Sequence, residues 1–129
     1  MTDFPDVLFE SCSGGGGRFD CGMLYYMPQT WTSDNSDAIE RLPIQHGTSL
    51  VYPLSSMSAH VSASPNHQTG HVTPFDTRFN VAFTGSFGYE LDPTALSEEE
   101  QSLVRRTAEF YKKYSHVAAN GRYFRLRSC

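Results

Sequence analysis

Two stretches decide how this chain folds: Val7-Leu8-Phe9-Glu10-Ser11-Cys12-Ser13-Gly14-Gly15-Gly16-Gly17-Arg18-Phe19-Asp20, and Gln29-Thr30-Trp31-Thr32-Ser33-Asp34-Asn35-Ser36-Asp37-Ala38-Ile39. In the first, the apolar run Val7 to Glu10 predicts a short buried strand, and the glycines after it predict a loop rich in bare backbone amides. In the second, the β-branched and aromatic Thr30-Trp31-Thr32 predicts another short strand ending near a carboxylate, Asp34. The cluster Asp34 to Asp37 is made of helix N-cap residues, so a helix is expected from Ala38, running through Pro43 to about Tyr52. Strand, polar loop and helix, twice in succession, predict an α/β fold with parallel neighbouring strands.

Outward from these units the signals are mixed. Gly22 to Met27 reads as one helical turn stopped by Pro28, with Tyr25 and Tyr26 packed in the core. Ser55 to Pro74, rich in Ser, His, Asn, Gly and Pro, reads as a long ordered loop. Val81-Ala82-Phe83 suggests helix, weakened by Gly85 and Gly88. The clearest element is the last helix: Ser97-Glu98-Glu99-Glu100 is a capping box, and Leu103, Val104, Ala108, Tyr111 and Tyr114 form an apolar stripe. Glu109 and Lys113 are spaced to pair, Gly121 is placed to end the helix, and Tyr123 to Leu126 reads as the start of a strand.

Bulk properties exclude several classes. The net charge of −4 over 129 residues, with only scattered basic residues, argues against a nucleic-acid partner. No apolar run approaches the ~20 residues that span a bilayer, and the first residues carry no signal-peptide pattern, so a cytoplasmic setting is the default expectation. Three cysteines at irregular spacing argue against a disulfide framework. The glycine run lacks the Gly-Lys-Ser/Thr ending of a phosphate-binding loop. His67 and His71 have a spacing zinc ligands sometimes show, but no cysteine pair accompanies them.

Backbone donors, an aromatic side chain and a carboxylate at neighbouring strand ends suit a sugar-binding surface, and the wording of these segments carries a resemblance. From Leu8-Phe9-Glu10 through Phe87-Gly88-Tyr89-Glu90-Leu91-Asp92 to Phe110-Tyr111-Lys112-Lys113-Tyr114, the chain resembles the last part of the catalytic barrel of family 36 α-galactosidases. That resemblance implies the closing part of a (β/α)8 TIM barrel, incomplete, with a C-terminal helix and the start of a following β segment. Residues 1–119 would be the last strand-helix units, and 120–129 the start of a C-terminal β-domain. A whole barrel takes ~250 residues, so the chain is expected to be a fragment, inactive alone, of a homo-oligomeric parent enzyme. Two positions depart from the family: Cys21 replaces the usual proline, and Phe79 replaces the usual glycine and adds bulk.

On spacing alone Asp34 reads first as the cap of the following helix. The resemblance reverses this, because Trp31-Thr32-Ser33-Asp34 matches the segment carrying the acid/base aspartate. By the same resemblance Cys12 contacts galactose, and Ser13, Gly14 and Gly15 shape its pocket; without it, Cys12 is a small buried residue. The implied activity is retaining hydrolysis of terminal α-galactose from melibiose- or raffinose-type galactosides, with no cofactor and no metal. The family's nucleophile lies in a Lys-Trp-Asp-x-Asn-Arg motif that this sequence lacks. The alternatives are an α-N-acetylgalactosaminidase, a galactosyl-transferring enzyme, or a non-catalytic sugar-binding module.

Overall fold

A computed structural model describes residues 3–12 and 19–127. Four strands form one sheet in sequential order, and every pairing is parallel. They are β1 (Glu10–Cys12), β2 (Gln29–Trp31), β3 (Met57–Ser62) and β4 (Ser86–Glu90). The connections carry helices α1 (Cys21–Tyr26), α2 (Ala38–Thr48) and α3 (Phe75–Phe83), a 3-10 turn at Leu54–Ser56 precedes β3, and α4 (Glu98–Asn120) follows β4. Glu10 pairs with Gln29, Cys12 with Trp31, and His60 with Gly88, which puts the carboxyl ends of all strands at one edge.

Strand alternation divides the sheet into two unlike faces. Ser11, Thr30, Met57, Ala59 and Val61 are buried on the helix-covered face. There Ala59, Val61, Phe75, Phe79 and Ala82 form a core that Phe83, Phe87, Tyr89, Leu103 and Val104 complete. The opposite face carries Glu10, Gln29, Trp31, Ser58, His60 and Glu90 and is polar. Phe79 is a filled position in the core: its ring lies 5.5 Å from Phe87 and 6.0 Å from Phe110, in edge-on geometry.

Several expected elements move. The first strand runs over Glu10–Cys12 rather than Val7 to Glu10, and Leu8 is 89% exposed, because the ladder with β2 begins only at Glu10. Helix α2 ends at Thr48, four residues short of Tyr52, at a Gly47-Thr48-Ser49 run of weak helix formers. Tyr25 and Tyr26 are exposed and stack edge-on with each other instead of entering the core. The expected loop from Ser55 to Pro74 contains β3, whose Met57, Ser58, Ala59 and Val61 are each no more than 1% exposed. Strand β4 was hidden behind its glycine: a Cβ on Gly88 would stand 2.9 Å from His60 Cδ2, so the imidazole packs directly on that backbone. Residues 122–127 form no strand.

The last helix keeps its expected cap, with Glu100 N donating to Ser97 Oγ and Ser97 N to Glu100 Oε2. Gly121 follows as its C-cap. Glu109 takes Lys112 rather than Lys113 as its ionic partner, at 3.0 Å.

Candidate active site at the carboxyl edge of the sheet

Helix α2 needs acceptors for its first amides, and Asp37 supplies them: its carboxylate, 1% exposed, accepts from Ile39 N at 2.8 Å and Glu40 N at 3.3 Å. Asp37 also accepts from the Thr69 hydroxyl and lies 2.8 Å from His71 Nδ1. Burial pushes its carboxyl up, but the Thr69 hydroxyl, the two amides and His71 together outweigh this and hold it below the ordinary carboxylate value. With the cap assigned to Asp37, the reading of Asp34 as the helix cap falls. Asp34 is exposed, and its carboxylate makes no hydrogen bond or ion pair with any described residue.

Three groups fix the backbone around Asp34. Arg41 reaches up from α2 and donates from Nη1 to Ser33 O at 3.0 Å and from Nη2 to Ser58 O at 2.7 Å. From the β3–α3 connection, Gln68 donates from Nε2 to Asp34 O and accepts from Ser36 N, both at 2.9 Å. Asn66 Nδ2 donates to Ser36 Oγ at 3.1 Å. The connection is itself braced: Gln68 N and Thr69 N donate to Asn66 Oδ1, and Gly70, at φ +74°, closes the turn in a conformation that favours glycine.

Beneath the loop, Trp31 meets an imidazole and a guanidinium. Its ring stacks on His60 at 4.6 Å, and the Arg41 guanidinium carbon sits 4.4 Å from its centroid. Arg41 is nearly fully buried, and that burial lowers its pKa to about 10 against the opposing attraction of Glu90. Burial likewise lowers His60, with Glu90 and Glu10 pulling the other way. Glu10 accepts from Gln29 Nε2 and from Ser58 Oγ at 2.9 Å, which ties β1 to β3 across β2.

Of the expected site residues, Cys12 closes β1 as an exposed free thiol rather than a buried side chain, beside Trp31 in the ladder. Asp34 follows three residues after Trp31, beyond the carboxyl end of the adjacent strand. Ser13, Gly14 and Gly15 lie outside the described residues, as does Arg18. Asp20 caps α1 through Met23 N. His71 is spent on Asp37, and the described residues contain no group of three or more metal-ligating side chains. Arg41, Gln68 and Asn66 carried no motif and were missed; a basic residue on the inward face of an amphipathic helix was the only hint of Arg41. A 310 Å³ apolar cleft lined by Leu54, Phe83, Val117 and Tyr123 lies by the residues that lead into β3 and β4, at the opposite end from Asp34.

Sequential parallel strands, helices over one face and an exposed carboxylate past the carboxyl ends are one arc of a β/α-barrel enzyme, whose chemistry sits at that edge. The melibiase family model matches residues 1–121, and the chain belongs to the melibiase family. α-Galactosidase AgaA of Geobacillus stearothermophilus is 62% identical over 125 residues, covering 97% of this chain and 17% of that protein. α-Galactosidase Mel36A of Lactobacillus acidophilus is 58% identical over 128 residues, covering 99% and 18%. A crystal structure of an AgaA variant in complex with raffinose superposes with a TM-score of 0.95 at 60% identity, over 98% of this chain and 18% of that one. The galactosidase domain of the α-galactosidase–sucrose kinase AgaSK gives 0.94 at 59%, over 98% and 18%. The chain therefore spans less than a fifth of its relatives' length, and its fold is the matching part of a family 36 catalytic barrel.

Proposed function

We propose that this chain supplies the acid/base arm of a retaining exo-α-galactosidase that releases terminal α-linked galactose from melibiose- and raffinose-type galactosides. Asp34 protonates the departing glycosidic oxygen, then takes a proton from the water that hydrolyses the galactosyl-enzyme. The nucleophilic carboxylate comes from a part of the barrel outside this sequence, on the far side of the anomeric carbon. Cys12, and the Ser13 to Gly15 segment after it, meet the galactose with little side-chain bulk. One observation carries the reading: Asp37 caps α2, which leaves the Asp34 carboxylate exposed and unpartnered by any described residue, at the edge where barrel enzymes work. The galactosides bound in crystals of the Geobacillus relative, raffinose and stachyose, support the substrate class.

The test is a chimera in which residues 3–127 replace the matched stretch of the Geobacillus enzyme. Asp34→Asn in that chimera should lower turnover of raffinose by about 10²- to 10⁴-fold, the usual worth of a general acid. A dinitrophenyl α-galactoside, whose leaving group needs no proton, should lose far less in the first step. Equal and mild losses on both substrates would rule out Asp34 as the acid.

A further inference from the structure

Backbone rigidity at Asp34 has an unexpected source. The loop from Thr32 to Asp37 is short and polar; within it Asn35 N donates to Ser33 Oγ at 3.1 Å and Asp37 N to Asn35 Oδ1 at 3.0 Å, and its remaining support comes from outside. Gln68, which belongs to a different β/α unit, spans it with both ends of one amide. Its orientation is dictated by chemistry: Ser36 N only donates and therefore faces Oε1, whereas Asp34 O only accepts and therefore faces Nε2. A single planar group thus sets the distance between the peptide units on either side of Asn35, much as a neighbouring strand would.

We infer that Gln68 is a positioning residue for the acid/base step: it acts through the Asp34 backbone, without touching substrate, and aims the carboxylate at the glycosidic oxygen. The inference rests on the acid/base reading of Asp34. Three features support it. The splint is doubly bonded, and the loop bearing it is pre-folded by Asn66 and Gly70. Its neighbours Asn66 and Thr69 grip the same segment at Ser36 and Asp37, so the contact is a clamp and not a chance touch. Arg41 holds the residue before Asp34, through Ser33 O, and Ser33 Oγ accepts from Asn35 N, while Gln68 is the group from another β/α unit that holds Asp34 O itself. Misplacement of a proton donor by a fraction of an ångström weakens proton transfer but not sugar binding.

The experiment is a double-mutant cycle in the chimera, with Gln68→Met, which keeps length and loses both hydrogen bonds, and Asp34→Asn. Gln68 is exposed, so its replacement leaves the fold intact, and Gln68→Ala must reproduce the result. The expected outcome is a drop of about tenfold in kcat on raffinose with KM nearly constant. In the dinitrophenol burst, which reads the first step alone, the loss on the dinitrophenyl galactoside should stay within about twofold, and on the Asp34→Asn background Gln68→Met should add nothing. Equal losses in the first step on both substrates, or an undiminished loss in the Asp34→Asn background, would show that Gln68 merely stabilises the barrel and would overturn the inference. If Asp34→Asn itself spares raffinose, the acid/base reading fails first; if it is selective and Gln68→Met is not, only the inference fails.

Discussion

Replacing Arg41 by Met asks whether the foundation under Asp34 is a net benefit or a burden. The side chain makes three hydrogen bonds, to Ser58 O, Ser33 O and Gln45 Oε1, at 2.7, 3.0 and 3.1 Å. Bonds from a charged donor contribute about 1.5–3 kcal/mol each, and their loss leaves acceptors stranded in a region closed to water. Against this stands the cost of burying the charge. The fall of its pKa from the ordinary arginine range to about 10 corresponds to about 3 kcal/mol against the charged form. Methionine recovers that cost and keeps the apolar stem against Trp31, but loses the guanidinium–indole contact, worth about 1–2 kcal/mol when desolvated. The hydrogen bonds win. A net local destabilisation of about 2–8 kcal/mol follows, because the guanidinium's acceptors remain while their donor is gone. At about 1.4 kcal/mol per tenfold, amide exchange in peptides covering residues 30–42 should accelerate by about 30-fold or more. Mass-spectrometric exchange on the chimera reads this directly, alongside raffinose turnover. Exchange within about threefold of the parent, with turnover unchanged, would refute the reasoning.

Two further outcomes follow from the polar face. Gly88→Ala places a methyl group 2.9 Å from His60 Cδ2, so the imidazole must leave Trp31; urea unfolding should show a loss of about 1–3 kcal/mol, which His60→Ala removes in the double variant. An unaltered urea midpoint in Gly88→Ala would mean that the ring does not pack there. Burial lowers the His60 pKa, so the unfolded chain binds the proton more readily as pH falls below about 6.5, the ordinary histidine value. Stability should thus be level in this respect above that pH and decline on acidification toward the folded pKa, and His60→Gln should flatten the decline; parallel profiles would discard the effect.

Legibility followed the physics of each element. The parallel pairing of β1 with β2 could be read because each short strand runs into a distinctive polar loop. The capping box at Ser97 could be read because a cap is a purely local pattern. Strand β3 could not, since its members alternate between Met57, Ala59 and Val61 toward the helices and Ser58, His60 and Ser62 toward the polar face. The alternation was there, but half of it looked like loop composition. Val7 to Phe9 misled for the opposite reason: apolar residues suggested a ladder that starts only at Glu10. At the site, Asp34 to Asp37 are all cap-type residues, and the hydrogen bonds from Ile39 and Glu40 give the cap to Asp37 and free Asp34 of it. Gln68 sits 34 residues from Asp34 in sequence, in a segment read as loop, so no local pattern joins them.

Azide rescue is the most direct measure of the central claim. In the chimera, Asp34→Ala removes the base that activates water, so the galactosyl-enzyme formed from a dinitrophenyl α-galactoside should accumulate. Azide needs no base and fits the space left by the carboxylate. It should accelerate turnover in Asp34→Ala but not in the parent, and the product should be α-galactosyl azide. Turnover indifferent to azide, with galactose as the only sugar product, would contradict the assignment of Asp34 as acid and base.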